Sequence, residues 1–167
     1  MSAATETIRI LTTGGTIDKI YFDAKSTYHV GPPQVSEILA AVGVQAPYVV
    51  ESVFSKDSLE IDDGDRALIR ERVEAAGERR ILITHGTDTM VKTGQALSDM
   101  PGKTVVLVGS LSPSRFKGSD AEFNVGFAFA AVQVLPPGVY IAMNGHVFDI
   151  GNVRKNVEEN RFEHDYD

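Results

Sequence analysis

Cysteine is absent from the sequence, which excludes disulfides, thiolate nucleophiles and thiolate metal sites. There is also no excess of basic residues. Sixteen lysines and arginines face 23 aspartates and glutamates, for a formal net charge of −7. Nucleic acid needs a basic face that neutralises phosphates, so no such partner is expected. No apolar run approaches the ~20 residues that span a bilayer, and the opening MSAATETIRI lacks the basic and apolar regions of a signal peptide. No membrane partner is expected either, and a soluble, cytoplasmic protein is the default. The histidines at 29, 85, 146 and 164 do not fall at metal-ligand spacing. The run IDDGD (61–65) misses the calcium-loop pattern, because its glycine and closing glutamate are misplaced; it reads as the lead-in to a helix. No metal and no cofactor is implied.

What is present is an ordinary globular composition, 43% hydrophobic and 23% charged over 167 residues. That is enough for a single domain, 1–167, with a substantial core and no second domain. Strands are predicted at TIRILTT (7–13), YVVESVF (48–54), RILITHG (80–86), KTVVLVGS (103–110) and GVYIAMNG (138–145). Between them lie helical patterns. Val35, Ile38, Leu39 and Val42 share one face and stop at Gly43. Ile69, Val73 and Ala76 do the same within 65–77, and Met90, Gly94 and Leu97 within 89–97. Ser119 and Glu122 fit a capping box for a long helix through Phe123, Phe127, Ala130 and Val134. The tail NRFEHDYD (160–167) is polar and expected to be loose. Strands with little polar alternation, spaced by helices, predict a doubly wound, mostly parallel α/β sheet flanked by helices, in three layers like flavodoxin. Ligands of such sheets bind outside the carboxyl ends of the strands, near the switch in winding direction. Three of these ends carry hydroxyl or acidic residues: TTGGT, THGTDT and VFSKDS.

The segment ILTTGGTIDK (10–19) ends an apolar run on a glycine pair and at once presents Thr16. A backbone turn, a phosphate cradle and the display of a nucleophile all remain open here. The cradle lacks both the Lys-Ser/Thr ending of a P-loop and the three-glycine dinucleotide spacing. ITHGTDTM (83–90) places Thr87 and Asp88 just past a second strand, where an aspartate is either an N-cap or a carboxylate offered to a ligand. A threonine hydroxyl is a poor nucleophile until a neighbour takes its proton. Tyr28, Asp88 and Lys155 (in GNVRKN) are the neighbours on offer, although Lys155 taken alone is a solvated surface charge. His85 reads as a hydrogen-bonded structural group.

Taken together and in this order, TTGGTI, STYHVG, KDSLEI and ITHGTDTMVKT resemble the amino-terminal domain of the bacterial-type L-asparaginases. VVLVGS, SDAEFN and VYIAMNG extend the likeness to about Lys155. The resemblance implies an amidohydrolase that converts L-asparagine to L-aspartate and ammonia through a covalent acyl-enzyme. It implies Thr16 as nucleophile, Tyr28 as a loop residue aiding proton transfer, and Thr87, Asp88 and Lys155 as a second catalytic cluster. Ser58, or Asp57 with a one-residue shift, would receive the substrate's α-carboxylate. Asp88 would face its α-ammonium, and Gly15 would let the backbone come close. It further implies a small-molecule amino acid as partner and a homo-oligomer. Two departures stand out: the sequence resembles a short form made of the first domain only, and GSLSP (109–113) replaces the usual Ala-Met-Arg-Pro run, so that Ser110 and Ser112 alter the wall of the site. The alternatives are a hydrolase of L-glutamine or another small amide, a domain that senses the amino acid with little turnover, and, more distantly, a nucleotide-binding flavodoxin-like protein.

Overall fold

A computed structural model describes residues 5–22 and 27–166. Its main sheet has six strands: β4 (Tyr48–Lys56), β1 (Ile8–Gly14), β5 (Arg80–Thr84), β6 (Thr104–Val108), β7 (Gly138–Met143) and β8 (His146–Asp149), in that spatial order. All pairs are parallel except β7–β8, a tight antiparallel return at the edge. Strands β5 and β6 are buried almost throughout, which is why they read as unbroken apolar runs. Strand β4 alternates because it is the other edge. Two antiparallel hairpins went unnoticed in the sequence: β2 (Lys19–Phe22) with β3 (Thr27–Val30), and β9 (Arg154–Asn156) with β10 (Arg161–Glu163). The second one corrects the expected loose tail. Phe162 is buried and its ring lies 6.4 Å from that of Phe148 on β8.

Helices α1 (Val35–Ala41), α2 (Asp63–Ala75), α3 (Met90–Ala96) and α4 (Ala121–Val134) cover the sheet. Helix α2 starts where IDDGD predicted, in a capping box formed by Asp62 and Asp65. Helix α4 differs from expectation. Its N-cap is Asp120, and the box of Ser119 and Glu122 is not formed; Ser119 Oγ accepts only the N–H of Ala121, at 3.0 Å. Of the stripe Phe123, Phe127, Ala130 and Val134, Phe127 is half-buried against the core, whereas Ala130 is exposed and Phe123 and Val134 are 60% and 80% exposed. The buried face is Ala121, Asn124, Val125, Ala128, Phe129, Ala131 and Val132. A helix apolar on nearly every side offers periodicity no means of choosing its inner face.

Helix α4 packs against α1, whereas α2 packs against α3. Both β5–α3–β6 and β6–α4–β7 step the same way across the sheet, yet their helices lie on opposite faces. The β6–α4–β7 crossover is therefore left-handed, against the strong preference of such units. The long connection 109–120 gives the backbone slack to change face. Among the described residues no helix is long and apolar enough to cross a membrane.

The winding direction reverses between β1 and β5, and there the structure closes on itself. A Cβ added to Gly15 (φ +90°) would lie 2.4 Å from the backbone N of Gly86, and one on Gly86 would lie 2.6 Å from Ser58 Cβ. The ends of β1, β5 and β4 thus meet with no room for a methyl group. Gly15→Ala is expected to lower unfolding free energy by at least about 2 kcal/mol, since strain at positive φ adds to the clash; denaturant melts measure this.

Two buried ionisable groups sit beside this point. Burial pushes the carboxyl of Asp18 up to about 7, and the N–H that Gln34 donates to it at 2.9 Å only partly offsets that. Burial pushes His85 down to about 4, and its ring is held by Gly86 O and Thr93 Oγ1 at 2.7 and 2.8 Å. The native Asp18 keeps a proton that the unfolded state loses near 3.8, so its stability contribution is full below that value and is lost as pH rises through about 7. His85 acts in the opposite sense: below 6.5 the unfolded state binds a proton that the native ring refuses until about 4, so stability falls with acid. The two slopes largely cancel between those limits. Asp18→Asn should unmask them. Relative to the native sequence, its stability is expected to rise from pH 4 to pH 8 by up to about 4 kcal/mol; a difference independent of pH, from melts across that range, would refute this.

Candidate active site

Thr16 begins a 3-10 turn (Thr16–Asp18) directly after Gly15 and is half-buried. Thr87 follows Gly86, so the two threonine motifs flank one point of backbone contact. Thr13 reinforces the junction, because its Oγ1 donates to Thr84 O at 2.8 Å, tying β1 to β5 at their ends. Thr87 is buried, and the Lys155 ammonium donates both to Thr87 Oγ1 at 2.8 Å and to Asp88 Oδ1 at 2.6 Å. The Lys155 side chain is only 10% exposed and that of Asp88 43%, so the ion pair is closed on the lysine side and open on the carboxylate side. Lys155 lies on β9, opposite Phe162 on β10. The tail that the sequence marked as loose therefore anchors the lysine, through Phe162 packed near Phe148.

Ser58 is buried against Gly86, and its carbonyl accepts the Thr89 hydroxyl at 2.7 Å. Asp57 caps the short turn Ser58–Glu60, with Oδ1 accepting Leu59 N–H at 3.0 Å and Oδ2 lying 3.0 Å from Lys19 Nζ. Partial burial would raise its carboxyl, but the Leu59 N–H and the Lys19 ammonium outweigh that and hold it below the usual range. Tyr28 stands on β3, 47% exposed, its ring edge-on to Phe116 at 5.8 Å. The base of its hairpin is fixed by Gly31 N–H donating to Asp18 O at 2.7 Å and by Ser55 Oγ donating to Gly31 O at 3.2 Å. Thr87, Asp88 and Lys155 thus form one hydrogen-bonded cluster, Gly15 and Ser58 pack against the adjacent Gly86, and Thr16 follows Gly15. Tyr28 and Asp57 lie on the hairpin side, where they line a cavity of about 380 Å³.

Sequence reasoning missed the group that builds the third wall. The Asp120 carboxylate accepts the N–H groups of Leu111 and Ser112 at 3.0–3.1 Å, Asn124 Nδ2 at 2.8 Å and Asn144 Nδ2 at 2.9 Å. Burial pushes Asp120 up, and these donors more than reverse it. Asn124, fully buried, also accepts Asn144 N–H at 3.0 Å and donates to Gly109 O at 2.9 Å. The Asp-Asn pair at i, i+4 within SDAEFN was the available signal. The GSLSP segment is consequently held by backbone donors, with Ser110 buried in the wall. His85 is, as expected, a structural group. Among the described residues no cluster of three or more histidine, aspartate or glutamate residues is placed to hold a metal ion.

Two threonine hydroxyls, an ammonium and an open carboxylate are thus carried to one strand-end edge of the sheet, a set of groups suited to nucleophilic attack on an amide carbonyl. Residues 7–163 match the family model "Asparaginase, N-terminal". The protein is 31% identical over 131 residues to the glutaminase-asparaginase of Acinetobacter glutaminasificans, a match that takes in 75% of the present sequence and 38% of that relative. It is 34% identical over 143 residues to the L-asparaginase of Thermococcus kodakarensis, with 80% and 42% covered respectively. The solved structure of the thermostable L-asparaginase from Thermococcus kodakarensis superposes with a TM-score of 0.82 at 30% identity, over 95% of the present protein and 51% of the other. The protein spans about half or less of the length of each of these relatives. By its sequence, its sheet order and the elements that converge at the switch point, it belongs to the asparaginase family and corresponds to that family's amino-terminal domain.

Proposed function

We propose that this protein is an amidohydrolase that cleaves the carboxamide of L-asparagine to give L-aspartate and ammonia, with Thr16 as nucleophile. The observation that carries this reading is the Lys155–Thr87–Asp88 cluster set against the Gly15–Thr16 turn. Thr16 Oγ attacks the carboxamide carbon, and its proton leaves with the departing nitrogen as ammonia, relayed by the Tyr28 hydroxyl. The backbone N–H of Thr16, at the head of its 3-10 turn, stabilises the oxyanion. Water then cleaves the resulting ester, positioned by Thr87. In the arrangement present, Lys155 donates to Thr87, which directs the threonine's own proton away from the lysine and toward a ligand. The open side of Asp88 suits an α-ammonium, and Ser58 or Asp57 marks the end of the pocket that takes the α-carboxyl group.

A glutaminase reading has one specific support, the name of the Acinetobacter relative. One methylene separates the two amides, worth only about 1–3 kcal/mol in an apolar pocket. Self-association and a cytoplasmic location belong to the same reading; the exposed Phe123 and Val134 on α4 support the former.

Thr16→Ala and Thr87→Ala are each expected to lower ammonia release from asparagine by at least about 1,000-fold while leaving the thermal melt unchanged. Normal turnover by both would rule the reading out. Lys155→Met should reduce kcat by about 100-fold or more with a smaller change in KM, because it removes a proton-handling group and keeps the volume. The ratio of kcat/KM for asparagine and glutamine decides between the two amides.

A further inference from the structure

Asp120 stands at the N-cap of α4, where a carboxylate ordinarily accepts an N–H of the first helical turn, yet its side chain makes no capping bond. Its oxygens are turned instead to the connection 109–120 that leads from β6. Every partner it has there is a donor: the N–H groups of Leu111 and Ser112 and the amides of Asn124 and Asn144. Only a group that accepts on both oxygens satisfies them all. An asparagine in either orientation would turn its own NH2 against at least two of these donors.

The same connection reaches the reacting groups farther along. Ser114 N–H donates to Ile17 O at 3.2 Å, inside the turn that Thr16 begins. The Phe116 ring meets the Tyr28 ring edge-on at 5.8 Å. Between these points the chain is bonded to itself. Phe116 N–H donates to Pro113 O at 3.0 Å, Ser119 N–H to Phe116 O at 3.1 Å, and the Ser119 hydroxyl to Ser112 O at 2.9 Å. A connection so cross-linked moves as one piece. Asp120 holds one end of it, and the other end rests on the Thr16 turn and on Tyr28.

We propose that Asp120 is a positioning residue for the reaction: through the connection 109–120 it sets the Thr16 turn and the Tyr28 ring relative to each other. The inference rests on the hydrolase reading for the identity of the reacting groups and deepens it. In that reaction Thr16 supplies both the attacking hydroxyl and the N–H that meets the oxyanion, so a displaced turn is felt twice. Asp88 and Ser58, which hold the amino acid in the same reading, lie on other parts of the chain and make no bond to this connection.

The first arm of the test needs no turnover. In Asp120→Asn, exchange of the Ser114 amide hydrogen is expected to quicken by at least about tenfold relative to that of Leu82 in the sheet core. Asn144→Gly removes one donor at a position whose φ of +51° suits glycine. It should quicken the same exchange by about threefold, and it keeps the test in force where Asp120→Asn does not fold. The second arm is ammonia release from asparagine. There kcat is expected to fall by at least about tenfold in Asp120→Asn and about threefold in Asn144→Gly, with KM within about twofold of the native value in both. Quickening confined to Leu111 and Ser112, with Ser114 unchanged, would overturn the inference, as would an unchanged kcat or a loss seen in KM alone. Faster exchange at Ser114 with no ammonia from the native protein would support the coupling and defeat the hydrolase reading alone.

Discussion

The contact on which the rest depends is between two backbones, at Gly15 and Gly86. Nothing larger than hydrogen fits at either place, so the ends of β1 and β5 approach more closely than neighbouring strands of a sheet ordinarily can beyond their last hydrogen bonds. The consequence is chemical. Each glycine is followed by a threonine, and each threonine by an acid within two residues: Asp18 after Thr16, and Asp88 after Thr87. A reversal in winding direction opens a crevice in any doubly wound sheet. Here the glycine pair narrows it until two motifs far apart in the sequence share a floor.

Everything beyond that floor is scaffolding that carries reactive groups to it. Strand β4 leads into Ser58, buried against Gly86. The β9–β10 hairpin delivers Lys155 from late in the sequence, fixed by the rings of Phe162 and His164 against Phe148. The left-handed β6–α4–β7 crossover has a similar outcome. By moving α4 to the α1 face it sets Asp120 where it can gather the N–H groups of Leu111 and Ser112 together with two asparagine amides. A carboxylate with four such donors is satisfied, and the segment it holds becomes a rigid wall. An unfavourable topology is thereby offset by a polar network rather than by apolar packing.

The legibility of the sequence follows from how local each signal is. The five parallel strands could be read because buried strands announce themselves as apolar runs, whereas their order in the sheet could not. Thr87, Asp88 and Thr16 stood out because glycine punctuates the strand ends that present them. The inner face of α4 could not be read, since Phe123 and Phe127 are as apolar as Val125 and Phe129, and which pair is buried depends on the hand of a crossover. Lys155, taken alone, reads as a solvated surface charge, and only the family resemblance implies a catalytic role for it. Its partners lie 67 and 68 residues away, and the strand that carries it has three residues. The β2–β3 hairpin and β8 have strands of four residues with local pairing, and so short a run leaves little periodicity.

Asp18 shows how stability is partitioned around such a site. Most carboxylates among the described residues that are far from solvent are matched by donors, as Asp120 is. Asp18 is buried with Oδ2 unpartnered, two residues past the candidate nucleophile. A neutral asparagine there would escape the desolvation penalty. What the carboxylate contributes is geometry: Oδ1 takes the N–H of Gln34 at the head of α1, while the backbone oxygen of the same residue takes the N–H of Gly31 at the foot of the Tyr28 hairpin. One residue thus joins the Thr16 turn to both neighbouring elements. Locally unfavourable groups are tolerated where they fix the position of reacting atoms. On that argument the strain at Gly15 and the buried acid at Asp18 have one origin. Both hold Thr16 in a place that backbone preference and solvation alone would not choose.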